Sequence, residues 1–87
     1  MPPYNILDMN RGGVKAGCKD LYETVADRVR PRIHVFGHIH EGAGHVNKDG
    51  ILYINAASKI PRSKKLNRPI VVDYYLHSTQ VDVIILI

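Results

Sequence analysis

The sequence predicts an incomplete α/β domain, and two observations lead to this fold class. One amphipathic helix, predicted over residues 18–29, precedes four β-rich segments at 32–36, 51–56, 69–76 and 80–87. The last two of these segments contain apolar runs that do not alternate with polar residues, a pattern typical of strands covered on both faces. Because one helix cannot cover both faces of such a sheet, we expect the chain to be part of a larger fold.

The helix and the segment before it follow from local signals. Residues 1–17 predict a long loop, because prolines, asparagines and glycines dominate them. Within 18–29, apolar residues recur every four positions from Leu21 to Val29 and form one stripe of a helix. Pro31 lies just past the predicted end, and a proline forces the residue before it out of the helical conformation.

Strand and loop signals alternate in the rest of the chain. Gly37 ends the strand at 32–36, and the glycine-containing residues 37–50 predict a loop. The short segment 77–79 between the last two strands predicts a hairpin. Four of the twelve basic residues crowd between Lys59 and Lys65, which we expect to be a solvated loop.

Composition narrows the classes of function. The 87 residues carry a formal charge of +4, but no aromatic residue interleaves with the basic ones between 59 and 65, so a nucleic-acid partner is not expected. The single cysteine, Cys18, excludes an internal disulfide and is expected to be a small buried residue. No apolar segment resembles a signal peptide or could cross a bilayer. We therefore expect a cytoplasmic protein without a membrane partner.

His38 and His40 are the candidate metal ligands. They follow the carboxyl end of a predicted core strand, where open α/β sheets place their ligands. In an extended backbone, side chains two residues apart leave the same side, so both imidazoles could bind one metal ion, or one ion each of a pair. Zinc, iron and manganese all accept neutral imidazole. The alternative is a pair of hydrogen-bonded loop histidines without a metal.

The other polar residues near this motif have plainer interpretations. His34 lies inside the predicted strand and is expected to be a core histidine with its hydrogen bonds satisfied. His45 and His77 are expected at the surface. Glu41 is expected either to orient an imidazole from outside the metal site or to be a capping or surface acid.

Together, the segments "RPRIHVFGHIHEGAG", "LYINAAS" and "NRPIVVDY" resemble the C-terminal third of calcineurin-like metallophosphoesterases. The similarity runs from Pro2 to about Leu76 and is closest to the metallophosphoesterase-domain-containing branch, which includes brain-expressed phosphodiesterases. It implies the C-terminal part of a four-layer α/β/β/α sandwich with a dinuclear metal centre. The family motif G-H-x-H falls on Gly37–His40 and implies that His38 and His40 each bind one ion. Some members of the branch replace the first histidine with glycine and are weak enzymes.

The same resemblance implies that much of the metal site is absent from this sequence. The family motifs D-x-H, G-D-x-x-D and G-N-H-[DE] do not occur, and Met1–Pro3 resemble the end of a fourth motif just after its histidine. Two imidazoles cannot hold two ions, so a missing N-terminal portion is required.

Three hypotheses remain at this point. The first is a metal-dependent phosphoesterase that is active when its N-terminal part is present. Its substrates would be phosphate monoesters or diesters, with nucleotides as one candidate class. The second is an inactive relic or interaction module that keeps two ligand-type histidines. The third is an isolated chain without function, poorly soluble because its apolar strands lack their covering layers.

Overall fold

A computed structural model of the chain describes residues 1–60 and 65–74 in full, and residues 81–85 by their backbone. Helix α1 spans Lys19–Glu23 and continues as a π-helical segment over Thr24–Val29. The described residues form five strands: β1 Ile33–Phe36, β2 Gly44–Lys48, β3 Ile51–Asn55, β4 Ile70–Tyr74 and β5 Val81–Ile85. A 3₁₀ turn, His40–Gly42, lies between β1 and β2. The described chain is therefore a small α/β unit, as the sequence predicts.

The helix predicted over 18–29 is confirmed, but its second half is wider than an α-helix. The N–H of Arg30 donates to the carbonyl of Val25 over 2.9 Å, which is the five-residue spacing of a π-helix. Arg30 ends the helix with a left-handed φ of 50°. Its guanidinium donates to the carbonyls of Ala26, at 2.7 Å, and Asp49, at 2.8 Å. These bonds tie the helix end to the turn between β2 and β3.

β3 is the central strand of a three-stranded sheet with the order β1-β3-β2. β1 runs parallel to β3, which places Phe36 opposite Asn55 at the carboxyl ends of both strands. β2 runs antiparallel on the other side of β3. All five residues of β3 are buried, as expected for a strand covered on both faces.

The prediction of a loop over 37–50 is wrong at residues 44–48, which form β2. β2 and β3 are joined by a two-residue hairpin turn, Asp49-Gly50, in which φ is 53° at Asp49 and 80° at Gly50. Positive φ at both positions defines the type I′ turn, whose twist matches that of the flanking strands. The Asp-Gly dipeptide before "ILYIN" is a strong sequence signal for this hairpin.

The predicted strands at 69–76 and 80–87 correspond to β4 and β5, which pair antiparallel in a second sheet. The predicted turn at 77–79 lies outside the described residues. Val71 and Tyr74 of β4 keep 37% and 48% of their surface exposed. The material that we expect to cover β4 on both faces is therefore not among the residues that the structure describes.

The hydrophobic core lies between the helix, the N-terminal loop and one face of the first sheet. Its buried members are Ile6, Val25, Ile51 and Tyr53, and the partly buried Leu7, Leu21, Tyr22 and Phe36 pack against them. Because Ile6 belongs to this core, part of the loop over 1–17 is fixed against the sheet. No helix in residues 1–60, 65–74 or 81–85 is long and apolar enough to span a membrane.

Candidate metal centre

The histidine loop, residues 37–43, joins β1 to β2 and leaves the carboxyl end of β1 through a strained three-residue turn. The N–H of Ile39 donates to the carbonyl of Gly37 over 3.0 Å, and His38 between them has a φ of 78°. A γ-turn with a central φ of about +75° is rare, because an L-residue is strained there. Such strain persists only where neighbouring structure holds it, and it is concentrated at functional sites. The turn therefore marks His38 as a candidate functional residue.

The extended backbone expected between His38 and His40 is wrong. His38 occupies the γ-turn and His40 begins the 3₁₀ turn, so the alternation of side chains along a strand does not apply to them. The side chain of His38 is exposed and that of His40 is half-buried. Both still follow the carboxyl end of β1 directly, where the sequence places them. Their role as metal ligands stays a prediction.

The side chain of Asn55 fixes the peptide group between the two histidines. Its Nδ2 donates to the carbonyl of Ile39 over 2.8 Å and to the carbonyl of Leu7 over 3.0 Å. Its Oδ1 accepts a hydrogen bond from the N–H of Ala57 over 3.1 Å. The Ile39 carbonyl accepts a second bond, from the N–H of Gly42 over 3.1 Å. Asn55 is 1% exposed, so these bonds form away from water.

The N-terminal loop meets the histidine loop at Leu7 and Gly42. A Cβ on Gly42 would clash with the Leu7 carbonyl and lie 2.7 Å from its carbon, so only glycine allows this approach. The loop itself is organised by the buried carboxylate of Asp8. This carboxylate accepts hydrogen bonds from the N–H groups of Asn5, at 2.8 Å, and Gly17, at 3.0 Å.

His34 does not satisfy its hydrogen bonds, contrary to expectation. Its ring packs against Phe36, with centroids 5.4 Å apart, and edge-on against Tyr53, with centroids 6.3 Å apart. Nε2 is buried and has no hydrogen-bond partner among the described residues. Burial lowers the pKa of His34 from its usual range.

The remaining residues named from the sequence are surface residues or a helix cap, or they lie outside the described chain. Glu41 is exposed, and its carboxylate forms no bond with the part of the chain that is described, so it is a surface acid there. His45 is exposed in β2, as predicted. His77 lies outside the described residues. Cys18 is half-buried rather than buried, and its Sγ caps α1 by accepting the N–H of Leu21 at 3.4 Å.

The basic stretch between Lys59 and Lys65 is described only at its two ends. Both lysines are exposed, as a solvated loop requires, and residues 61–64 between them lie outside the described chain.

The donors of the histidine loop fit part of a transition-metal site. Imidazole nitrogen is a ligand that zinc, iron and manganese accept, and an exposed His38 can reach an ion from the strand end. Within the described ranges, no group of three or more histidines, cysteines or acids could hold a metal ion. The two imidazoles have suitable donor atoms, and their role as metal ligands stays a prediction.

A cavity of about 500 Å³ opens beside the histidine loop. Its lining residues lie at the end of the histidine loop, at the start of β2, at and just after the end of β3, and at and just before the start of β4. They are Ala43, Gly44, Asn55, Ala56, Ala57, Ser58, Asn67, Arg68, Pro69 and Ile70. The volume falls within the range of about 300–1,000 Å³ that is typical of small-molecule sites. Arg68 is exposed and is the cation among these lining residues.

Fold and site together define an α/β unit that carries candidate metal ligands at a strand end, and comparison with known proteins agrees with this class. Metallophosphoesterase domain-containing protein 1 of Homo sapiens and that of Mus musculus are each 42% identical to the chain over 73 residues. The UPF0046 protein T07D4.2 of Caenorhabditis elegans is 40% identical over 76 residues. No family model matches the chain.

These relatives support an assignment of the chain to the metallophosphoesterase branch. The matches to the human and mouse proteins cover 83% of this chain but only 22% of those proteins. The match to the nematode protein covers 87% of this chain and 19% of that protein. The chain thus spans about a fifth of the length of these relatives, and its α/β architecture is consistent with part of a metallophosphoesterase fold.

Two residues of the site have roles that the sequence alone did not reveal. Asn55 was singled out only within a segment that resembles the family, and Asp8 only as a loop residue. A polar residue that ends an otherwise apolar run, as in "ILYINA", is the signal that could have identified Asn55. Asp8 lies in a loop rich in polar residues and has no comparable signal.

Proposed function

We propose that this chain is the C-terminal part of a metal-dependent phosphoesterase in which His38 and His40 bind divalent metal ions. The observation that carries the proposal is the strained turn, which presents an exposed imidazole at the carboxyl end of β1. The relatives named as metallophosphoesterase-domain proteins support the same chemistry. The proposed substrates are phosphate monoesters or diesters.

Within this function, His38 and His40 of the histidine loop would hold metal at the end of β1. A bound pair of divalent ions, such as manganese, iron or zinc, would polarise the phosphoryl group and generate a hydroxide nucleophile. His38 and His40 would each supply a neutral imidazole nitrogen, one to each ion. The relatives extend far beyond the matched segment, and we place the remaining ligands there.

The cavity beside the loop is proposed to receive the organic part of the ester. Its wall is formed largely by small and apolar residues, and Arg68 could meet a phosphate oxygen. With this assignment the ester would lie next to the ions while the strands keep the conformation described above.

The test uses the product of the complete open reading frame that encodes this chain. Wild type, His38→Ala, His40→Ala and the exposed control His45→Ala are purified, loaded with Mn²⁺ and dialysed. Bound metal is measured by mass spectrometry, and hydrolysis is measured with bis(p-nitrophenyl) phosphate. We expect each of the first two substitutions to remove metal and nearly all activity, while His45→Ala behaves as wild type. Unchanged metal content in His38→Ala and His40→Ala would refute the proposal.

A chimera gives a second test of the same assignment. This chain replaces the matching segment of the human relative, and the three alanine variants are repeated in the chimera. Metal-dependent hydrolysis that is lost with His38 or His40, but not with His45, supports the proposal. An active chimera that is indifferent to both substitutions contradicts it.

The alternative is an inactive module that retains two ligand-type histidines. It is favoured by one observation, which is that the described residues contain no group of three or more ligand side chains. The native product would then bind Mn²⁺ weakly or not at all and would hydrolyse no phosphate ester. The phosphoesterase proposal requires both tight Mn²⁺ binding and hydrolysis.

A further inference from the structure

We propose that Asn55 is a positioning residue that holds His38 and His40 in the arrangement that binds metal. The structural part of this inference stands on the hydrogen bonds of Asn55, and its consequence for metal rests on the proposed function. Asn55 lies at the end of β3. Its side chain bonds to neither imidazole among the described residues, but it donates to the carbonyl of Ile39 between them.

The strained turn requires such a restraint. A φ of 78° at His38 is unfavourable for an L-residue, so the loop would relax if nothing opposed it. The Ile39 carbonyl is the point at which the loop is held, because it accepts bonds from Gly42 and from the amide of Asn55. The Ile39 side chain, 8% exposed, adds a packed anchor at the same residue.

The chemistry of the amide is specific. Both hydrogen bonds donated by Nδ2 go to carbonyls, and Oδ1 accepts from a backbone N–H, so Asn55 uses donors and acceptor together. Aspartate has nearly the same shape, but its carboxylate cannot donate and would face two carbonyl oxygens. Replacement by aspartate therefore turns the attraction to the two carbonyl oxygens into repulsion, while the volume of the side chain stays almost unchanged.

The same amide couples the N-terminal loop to the histidine loop. Asn55 reaches Leu7, 48 residues earlier, and Ile39, 16 residues earlier. Leu7 in turn precedes Asp8, whose carboxylate organises the loop through Asn5 and Gly17. A shift of the N-terminal loop is therefore transmitted to the peptide group between the two candidate ligands.

The experiment compares Asn55→Asp with Asn47→Asp in the product of the complete open reading frame. Asn47 is an exposed residue of β2, so its substitution adds the same charge without removing a buried bond. Co²⁺ affinity is measured by calorimetry, and the geometry of bound Co²⁺ is read from its visible absorption bands. Supporting groups around metal ligands typically change affinity by roughly 10- to 100-fold. We expect Asn55→Asp to weaken Co²⁺ at least tenfold and to shift the bands, and Asn47→Asp to change neither.

A metal-free measurement separates this inference from the proposed function. In the presence of EDTA, the imidazole NMR signals of His38 and His40 should move in Asn55→Asp, whereas that of His45 should not. If wild type binds no Co²⁺ but these signals move, the phosphoesterase proposal fails and the positioning role stands. If the signals stay in place, or if wild type binds Co²⁺ and Asn55→Asp binds it equally tightly, the positioning role is refuted.

A second variant guards against a protein that does not fold. Asn55→Ser keeps one donor and can bond to only one of the two carbonyls. The folded fraction of each variant is measured by circular dichroism before titration. If Asn55→Asp is unfolded, Asn55→Ser should show the same changes in affinity and imidazole signals to a smaller degree, and wild-type values for Asn55→Ser would refute the role.

Discussion

The backbone conformation of His38 leads to a prediction about stability that does not depend on metal binding. His38→Gly and His38→Ala both remove the imidazole, but only glycine accepts a φ of 78° without strain. We therefore expect His38→Gly to be the more stable of the two in metal-free buffer. At most positions in a folded chain the order is the reverse, because glycine loses more conformational freedom on folding.

The magnitude follows from two opposing terms. A residue held in such a sparsely populated conformation costs about 1–3 kcal/mol, and glycine recovers most of this. Glycine in turn lowers the free energy of unfolding by about 0.5–1 kcal/mol relative to alanine, because its unfolded chain is more flexible. The free energy of unfolding of His38→Gly should therefore exceed that of His38→Ala by about 1 kcal/mol.

The assay is urea unfolding of both variants in EDTA, which removes any contribution from bound metal. Glu41, an exposed residue of the same loop without a positive φ, provides the matched control. We expect Glu41→Ala to be more stable than Glu41→Gly, the opposite order. If His38→Ala were as stable as His38→Gly, the strained turn would not exist in solution and the reasoning would be refuted.

Three further predictions follow from the packing. Gly42→Ala should lower the free energy of unfolding by about 1–3 kcal/mol, measured by urea unfolding, because its Cβ would clash with the Leu7 carbonyl. Arg30→Gln should lower it by about 1–2 kcal/mol in the same assay, because the guanidinium bonds to Ala26 and Asp49 are lost. His34 should make the protein less stable in acid. The pKa of His34 in the folded state lies below the unfolded value of about 6.5. The stability that the neutral ring provides is therefore complete above about pH 6.5 and is lost as the pH falls from there through the folded-state pKa. His34→Phe should remove this part of the acid dependence, measured as the melting temperature between pH 7.5 and pH 5.

Each of these predictions has a matched control, and two of them have an outcome that would contradict them. Gly12→Ala, where a Cβ meets only a side-chain atom at 3.5 Å, should be nearly neutral, and equal losses at both glycines would contradict the clash. Arg28→Gln, on the exposed side of the helix, is the control for Arg30. His45→Phe is the control for His34. An unchanged acid slope in His34→Phe would show that the buried ring is not responsible.

Much of the fold could be read from the sequence because its signals are local. The apolar stripe from Leu21 to Val29 defines a helix, and the β-rich segments define the strands, whatever their partners are. β2 was missed although Asp49-Gly50 is a hairpin signal, because its strand contains polar residues and glycine. The position of the histidine motif after β1 was predicted correctly, since it depends only on the order of residues along the chain.

The sequence by itself determined which residues stand at the end of β1 and that the chain is an α/β unit of a recognisable branch. Only the tertiary structure decided the conformation of the histidine loop. His38 adopts a φ that its residue type disfavours, and the restraint comes from the side chain of Asn55. That amide is itself held by the carbonyl of Leu7, which lies 48 residues before Asn55 in the chain. Local propensities cannot express a hydrogen bond between such distant residues. The geometry of the candidate ligands is therefore a property of the assembled sheet and loops.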